Sequence, residues 1–278
     1  MNTPTPKDPK VGVVIPTFGI DGALVNQAIR SAMSQVGIAK EVVVVGHTSM
    51  SHEIEALPST DDLVWVPTTD YLPISEARNL ALKHSDADWF AWLDADDELE
   101  VDCLQNLLKA ANGGDFVVGR TRVVEAGGSS LRPSPRSVVS DELVGTGDPD
   151  DPLMNWVFAI QPQLVRASIL NDLSGFSVDY RYAELTDLFL RYVSMSGTTR
   201  IAFTDHAVYR YNRTRIGSHS SDKQQLSEYR CRAISDYGRR QTGFDHEVSV
   251  VGWVSERQMQ RFITKRKEGD ANGEDRGF

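Results

Sequence analysis

The stretch VGVVIPTF, residues 11 to 18, has no polar face: from Val11 to Pro16 every position is apolar or glycine. A strand with one wet face alternates apolar and polar residues, so a β-branched run without alternation predicts a strand buried on both sides. EVVVVG (41–46) and LVWVPT (63–68) repeat the pattern, and DWFAWLDA (88–95) supplies a fourth strand. Between these runs apolar residues recur at helical spacing. They are Leu24, Val25, Ala28, Ile29, Ala32 and Met33, then Ala77, Leu80 and Ala81 within SEARNLALKH (75–84). Leu104, Leu107, Leu108 and Ala111 mark a further helix, which NGG closes with a glycine cap. Strand and helix alternate, which predicts an α/β unit with a Rossmann-like, mainly parallel sheet flanked by helices.

After DFVVGRTRVVEAGG (115–128), a predicted strand and turn, the pattern breaks. Ser, Pro, Gly and Asp dominate 129–152, which predicts a long loop of the kind that often binds or covers a ligand. A helix is predicted around 183–196, TRIAFTDHAVYRYN adds one or two strands, and 222–266 reads as a charged, helical C-terminal extension. Residues 1–10 and 267–278 are polar and predicted to be disordered.

Charge narrows the partners. With 29 Lys+Arg against 39 Asp+Glu, the formal charge of −10 argues against a duplex nucleic acid held by its phosphates. The 40% hydrophobic content is enough for a sizeable core. The two cysteines, Cys103 and Cys231, form no disulfide or zinc pattern, so a reducing compartment, the cytoplasm, is predicted. MNTPTPKDPK lacks the apolar centre of a signal peptide, and no apolar run is long enough to form an integral membrane segment.

The fourth strand ends in four carboxylates: Asp94, Asp96, Asp97 and Glu98. In open α/β sheets, ligands bind beyond the carboxyl ends of the strands. Asp94 and Asp96, two residues apart in a D-x-D pattern, can converge there on one hard divalent cation shared with substrate phosphates. The competing reading makes Asp96, Asp97 and Glu98 the acidic N-terminus of the next helix. The pattern alone leaves both open.

The order of the segments adds a resemblance. VVIPTFG, EVVVVGHTS, SEARNLAL and WFAWLDADDELE are similar to the successive signatures of family 2 glycosyltransferases, which have the GT-A fold. LSGFSVDYRYAELTDLFLRYVSMSG resembles that family's acceptor-side segment, and AVYRYNRTRIGSHSS its closing motif. The match spans 11–221, with a nucleotide-sugar half up to 128 and an acceptor half over 129–221. It implies an enzyme that moves a sugar from a nucleotide-diphosphosugar, commonly UDP-linked, to a saccharide or protein hydroxyl, with Mn²⁺ or Mg²⁺ as cofactor and inversion at the anomeric centre. Pro16 and Thr17, with Phe18, His47 and Ala95, match the donor-binding positions. Arg78 matches a basic residue near the diphosphate, with a surface helical Arg as the alternative. Asp94 matches the ribose contact and Asp96 the metal ligand.

Three positions depart from the family. Leu185 stands where the catalytic Asp is expected in AELTDLFLR, so Glu184 or Asp187 is left as base, Glu184 preferred; an Asp187–Arg191 ion pair is an equal alternative. Gly46, His47 and Thr48 replace the acidic residues that read the base. Arg215 takes the place of a metal-binding His and is read as a contact to the diphosphate, while His219, the nearby imidazole, is read as a metal ligand, with an ordinary non-ligating His as the alternative. Trp156, Phe158 and the aromatics of 180–182 either stack on acceptor sugars or pack in the core. Two other readings remain: a catalytically impaired relative that binds a sugar nucleotide or glycan, and a nucleotidyltransferase. The latter wants a basic loop after the first strand, which IPTFGIDGALVNQ lacks.

Overall fold

The computed structural model describes residues 8–55, 57, 60–132, 163–197, 199–214, 222–254 and 259–266. At its centre β1 (Lys10–Pro16) runs parallel to β2 (Ala39–His47) on one side and to β4 (Trp89–Trp92) on the other. β3 (Leu63–Thr68) extends the parallel run beyond β2. Past β4 come β8 (Gln163–Arg166), β6 (Phe116–Glu125), β9 (Ile201–Asn212) and the two-residue β5 (Glu98–Leu99). β8 and β5 run antiparallel to their neighbours, whereas β6 and β9 are parallel to each other. With β7 (Gly128–Leu131) paired to β6, the sheet has nine strands among the described residues.

Both sides of the sheet are covered, as the unalternating runs require. Val11, Val13 and Ile15 of β1 pack with Val25, Ala28, Ile29 and Ala32 of α1 (Gly22–Met33) and with Cys103, Leu104 and Leu107 of α4 (Cys103–Ala110). Val14, Val43 and Val45 face the other way. They share a core with Ala77 and Ala81 of α3 (Ile74–Lys83) and with Leu188, Phe189 and Tyr192 of α6 (Glu184–Ser196). Ala233 and Ile234 of α7 (Lys223–Thr242) close that side. Two short helices, α2 (Ser51–Glu55) and α5 (Ala167–Asp172), complete the connections. Cys103 and Cys231 are free thiols. No helix among the described residues is long and apolar enough to cross a membrane.

Two expectations are corrected. The helical extension predicted over 222–266 ends at Thr242, where Gly243 takes a left-handed φ of 77° as a C-cap. Beyond it β10 (His246–Val254) and β11 (Met259–Arg266) form an antiparallel hairpin. The charged residues ahead of Gly243 set the helical reading, but Val248, Val250, Val251 and Val254 belong to a β-branched segment. The loop predicted from 129 is corrected at its start, where Gly128–Leu131 returns along β6 as a strand after a two-residue turn; residues 133–152 of that prediction lie outside the described residues.

Candidate functional site

The chain runs outward from β1 to β2 and β3, then returns to lay β4 against the opposite edge of β1. A sheet whose strand order reverses there opens a crevice beyond the strand ends, between β1 and β4. Pro16 ends β1, and Thr17 continues its ladder by donating its amide to the Val45 carbonyl at 2.9 Å. Both are buried at the end of β1, and Phe18 just beyond them is half-buried.

The carboxylates after β4 divide into scaffold and site. Asp97 is buried at 2% exposure. Its carboxylate accepts the Tyr209 hydroxyl at 2.7 Å and the Asn212 amide at 2.7 Å. The Tyr209 oxygen in turn accepts the Asp94 amide at 3.1 Å, so β9 fixes the turn that presents Asp94. Burial, and then repulsion from Asp94, push the Asp97 carboxyl well above its ordinary range. Glu98 lies in β5 and accepts from Gln27 at 3.0 Å. α4 does not begin until Cys103, with Asp102 as its cap residue, so the acidic cluster is not that helix's N-terminus. Asp94 and Asp96 remain half-buried at the crevice, with Ala95 buried between them.

Arg78 is the centre of the arrangement. It is wholly buried, which overturns the reading of a surface helical arginine. One Nη donates to Asp94 Oδ1 at 3.0 Å and the other to Glu184 Oε1 at 2.6 Å. Phe176 lies under the guanidinium at 5.3 Å, and Nε has no hydrogen-bond partner. A charge removed from water is tolerated only when paired and hydrogen-bonded. Here one cation holds a carboxylate from just beyond the end of β4 and another from the first turn of α6. Ala183, in the left-handed region at φ 57°, turns the chain into that helix and brings Glu184 to Arg78.

Asp187 is placed differently. It is 2% exposed, and Arg191 Nε donates to it at 2.8 Å. The same guanidinium donates to the carbonyls of Leu173 and Gly175 at 2.7 and 2.8 Å. Asp187 thereby helps clamp the turn after α5, and burial raises its pKa despite that partner. Leu185, in the position expected for an Asp, packs partly buried against the core.

At the end of β2, Gly46 has no room for a side chain: a Cβ would stand 2.0 Å from Thr17 Oγ1 and 3.0 Å from the Trp65 ring. His47 turns its ring onto Tyr71, with centroids 4.8 Å apart and planes 17° from parallel. Arg215, His219, Trp156 and Phe158 lie outside the described residues. Tyr182 packs against Tyr229 at 5.7 Å, while Tyr180 is buried with its hydroxyl on Asp236 at 2.6 Å. Tyr209, Asn212 and Tyr71 were not legible as site residues. The first two belong to a strand 112 or more residues away, and no local pattern announces that pairing.

Among the described residues, no group of three or more His, Cys, Asp or Glu side chains is arranged to hold a metal. Asp96 and Asp94 therefore fit a hard cation only in company with phosphate oxygens, the ligand set Mg²⁺ and Mn²⁺ accept in nucleotide sites.

A mixed sheet whose parallel run β3-β2-β1-β4 places Asp94 and Asp96 at its switch point has the architecture of a GT-A domain. Residues 12–152 match the model of glycosyl transferase family 2, and the chain belongs to that family. The succinoglycan biosynthesis protein ExoO of Rhizobium meliloti (strain 1021) is 30% identical over 141 residues, 48% of this chain and 39% of that protein. Among solved structures, S. aureus TarS 1–349 in complex with UDP-GlcNAc superposes with a TM-score of 0.60 at 18% identity, over 85% of this chain and 73% of that one. The mannosyltransferase PcManGT from Pyrobaculum calidifontis, in complex with GDP-Man and Mn²⁺, gives 0.60 at 21% identity, over 82% and 65%. At these identities the two structures establish the fold.

Proposed function

We propose that the chain transfers a sugar from a nucleotide-diphosphosugar to a hydroxyl group of a saccharide or protein acceptor, with inversion. The observation that carries this reading is the Arg78 bridge, which binds donor-side Asp94 and acceptor-side Glu184 to one buried guanidinium. In this reading Asp94 contacts the ribose and Asp96 holds the divalent cation. A bound Mn²⁺ or Mg²⁺ would neutralise the charge that develops on the departing nucleoside diphosphate. Glu184 accepts the proton of the acceptor hydroxyl as the new C–O bond forms and the bond to the diphosphate breaks. Both carboxylates are paired with an arginine, but the Asp187 side chain is enclosed at 2% exposure against 12% for Glu184, which makes Asp187 less suited to that task. Pro16, Thr17 and Phe18 border the donor.

The test is release of nucleoside diphosphate from a panel of sugar nucleotides and acceptors, with and without Mn²⁺. Loss of a positioned base costs about 10²–10⁴-fold in rate. Glu184→Gln is therefore expected to lose at least about a hundredfold while nucleotide still raises the melting temperature. A Glu184→Gln enzyme as fast as wild type removes Glu184 from the base role. Metal-dependent nucleotide binding without turnover on any acceptor favours the impaired relative instead.

A further inference from the structure

We propose that the donor's nucleobase is recognised through its ring face, on a shelf made by Tyr71 backed by His47 and edged by Phe18, and that this shelf selects a purine over uracil. The proposal rests on the donor-site reading above and assigns the class of nucleotide to it.

Three features lead there. First, the end of β2 offers no carboxylate to the edge of a base. Gly46, His47, Thr48 and Ser49 follow Val45, and at Gly46 the Thr17 hydroxyl and the Trp65 ring fill the space a side chain would need. An acid there would accept an imide N–H in the plane of uracil.

Second, His47 cannot take over that role through its ring edge. Its Nδ1 stands 3.2 Å from the Ser49 backbone amide, which can only donate, and 2.8 Å from the Ser49 hydroxyl. Its Nε2 stands 3.1 Å from the Thr69 carbonyl, which can only accept. These partners occupy both ring nitrogens, Nδ1 accepting from the Ser49 amide and Nε2 donating to the Thr69 carbonyl. What His47 has left to offer is a face, and that face lies on Tyr71.

Third, Tyr71 is 65% exposed, the most open of the large hydrophobic side chains described, although it is held between His47 and the Phe18 ring 5.7 Å away and tilted by 55°. An aromatic side chain kept in place yet left open, beside the crevice where a nucleotide would lie, is a stacking platform. Stacking is tolerant of base identity because every base has a π-face, so preference follows ring area. The bicyclic purines gain most, and the single ring of uracil, with no carboxylate at the end of β2 to accept its imide N–H, gains least.

The experiment is calorimetric titration of the full chain with GDP, ADP, UDP and CDP in Mn²⁺, on wild type, Tyr71→Ala, Tyr71→Phe and Asp96→Ala. GDP and ADP are expected to bind several-fold tighter than UDP. Tyr71→Ala is expected to weaken the purine nucleotides about tenfold and UDP by less, with Tyr71→Phe close to wild type. UDP binding more tightly than both purines overturns the inference, as does a Tyr71→Ala chain with unaltered purine affinity. Either result leaves the donor site standing if binding still requires Mn²⁺ and Asp96. No binding by any of the four nucleotides removes the donor site and the shelf together.

Discussion

Arg78 and Gly46 show how single residues constrain the crevice. An arginine with no exposure is stable because two carboxylates share its charge, and each of those carboxylates is held in place by it in return. Sequence places Arg78 on a helix but cannot show which way that helix turns it. The face that carries Arg78 also carries the buried Ser75, so polarity alone points outward while packing turns it in. Gly46 is the opposite case, a position defined by the space it denies. Restoring an acid there by Gly46→Asp would force Thr17 and Trp65 apart, and overpacking of this kind costs about 1–3 kcal/mol. The expected outcome is a lower urea midpoint with no gain in UDP affinity, read by denaturation and by titration of the same preparation. A Gly46→Asp chain that is as stable as wild type and binds UDP more tightly would show that this packing yields.

Among the elements, the strands legible in advance were those whose burial is written into their own residues. β1, β2 and β4 are unalternating apolar runs, and α1 and α4 bury the stripes their spacing predicts. β5, β7 and β8 are short and owe their state to partners distant in sequence, so no local period announces them. The same holds within the site: Asp94 and Asp96 stand out as a pattern, whereas Tyr209 joins them only through the packing of β9. β8 and β9 are themselves pinned by Asp115, just ahead of β6. Its carboxylate accepts from Arg166 at 2.9 Å and from both Nε and Nη2 of Arg200, and Arg166 also stacks over Trp89 at 4.4 Å. The bonds from Arg200 first, and then from Arg166, hold the Asp115 carboxyl below its ordinary value of 3.8. A depressed folded-state pKa contributes stability that is present above the unfolded value and is lost as pH falls through the folded one. Asp115→Asn is therefore expected to lower the urea midpoint at pH 7, and the gap to wild type should close as pH falls below 3.8 towards 2. A gap that is constant from pH 7 to 2 would show that the Asp115 charge contributes nothing to the clamp.

At the scale of the whole molecule, the division into a nucleotide-sugar half up to 128 and an acceptor half beyond it does not describe two folding units. β4 and β6 belong to the first part, and both pair with β8 from the second. β9 pairs with β6 along most of its length and also with β5. The core on one side of the sheet mixes Val14, Phe90 and Trp92 with Phe176, Leu188 and Tyr192, and the Arg78–Glu184 bond crosses the same division. A chain cut after residue 128 would leave β4 and β6 with unpaired edges and half of a shared core exposed to water. The full chain is accordingly expected to lose its tryptophan fluorescence signature and its far-UV dichroism in coincident urea transitions, as a single cooperative unit does. The fragment 1–128 is expected to show no cooperative transition by either probe. Two separated transitions in the full chain, or a fragment that unfolds cooperatively, would mean that the donor half carries its own core. The crevice would then be a junction between independent parts, free to open without unfolding. With one shared sheet and core, the Arg78 bridge instead joins Asp94 and Glu184 inside a single folding unit.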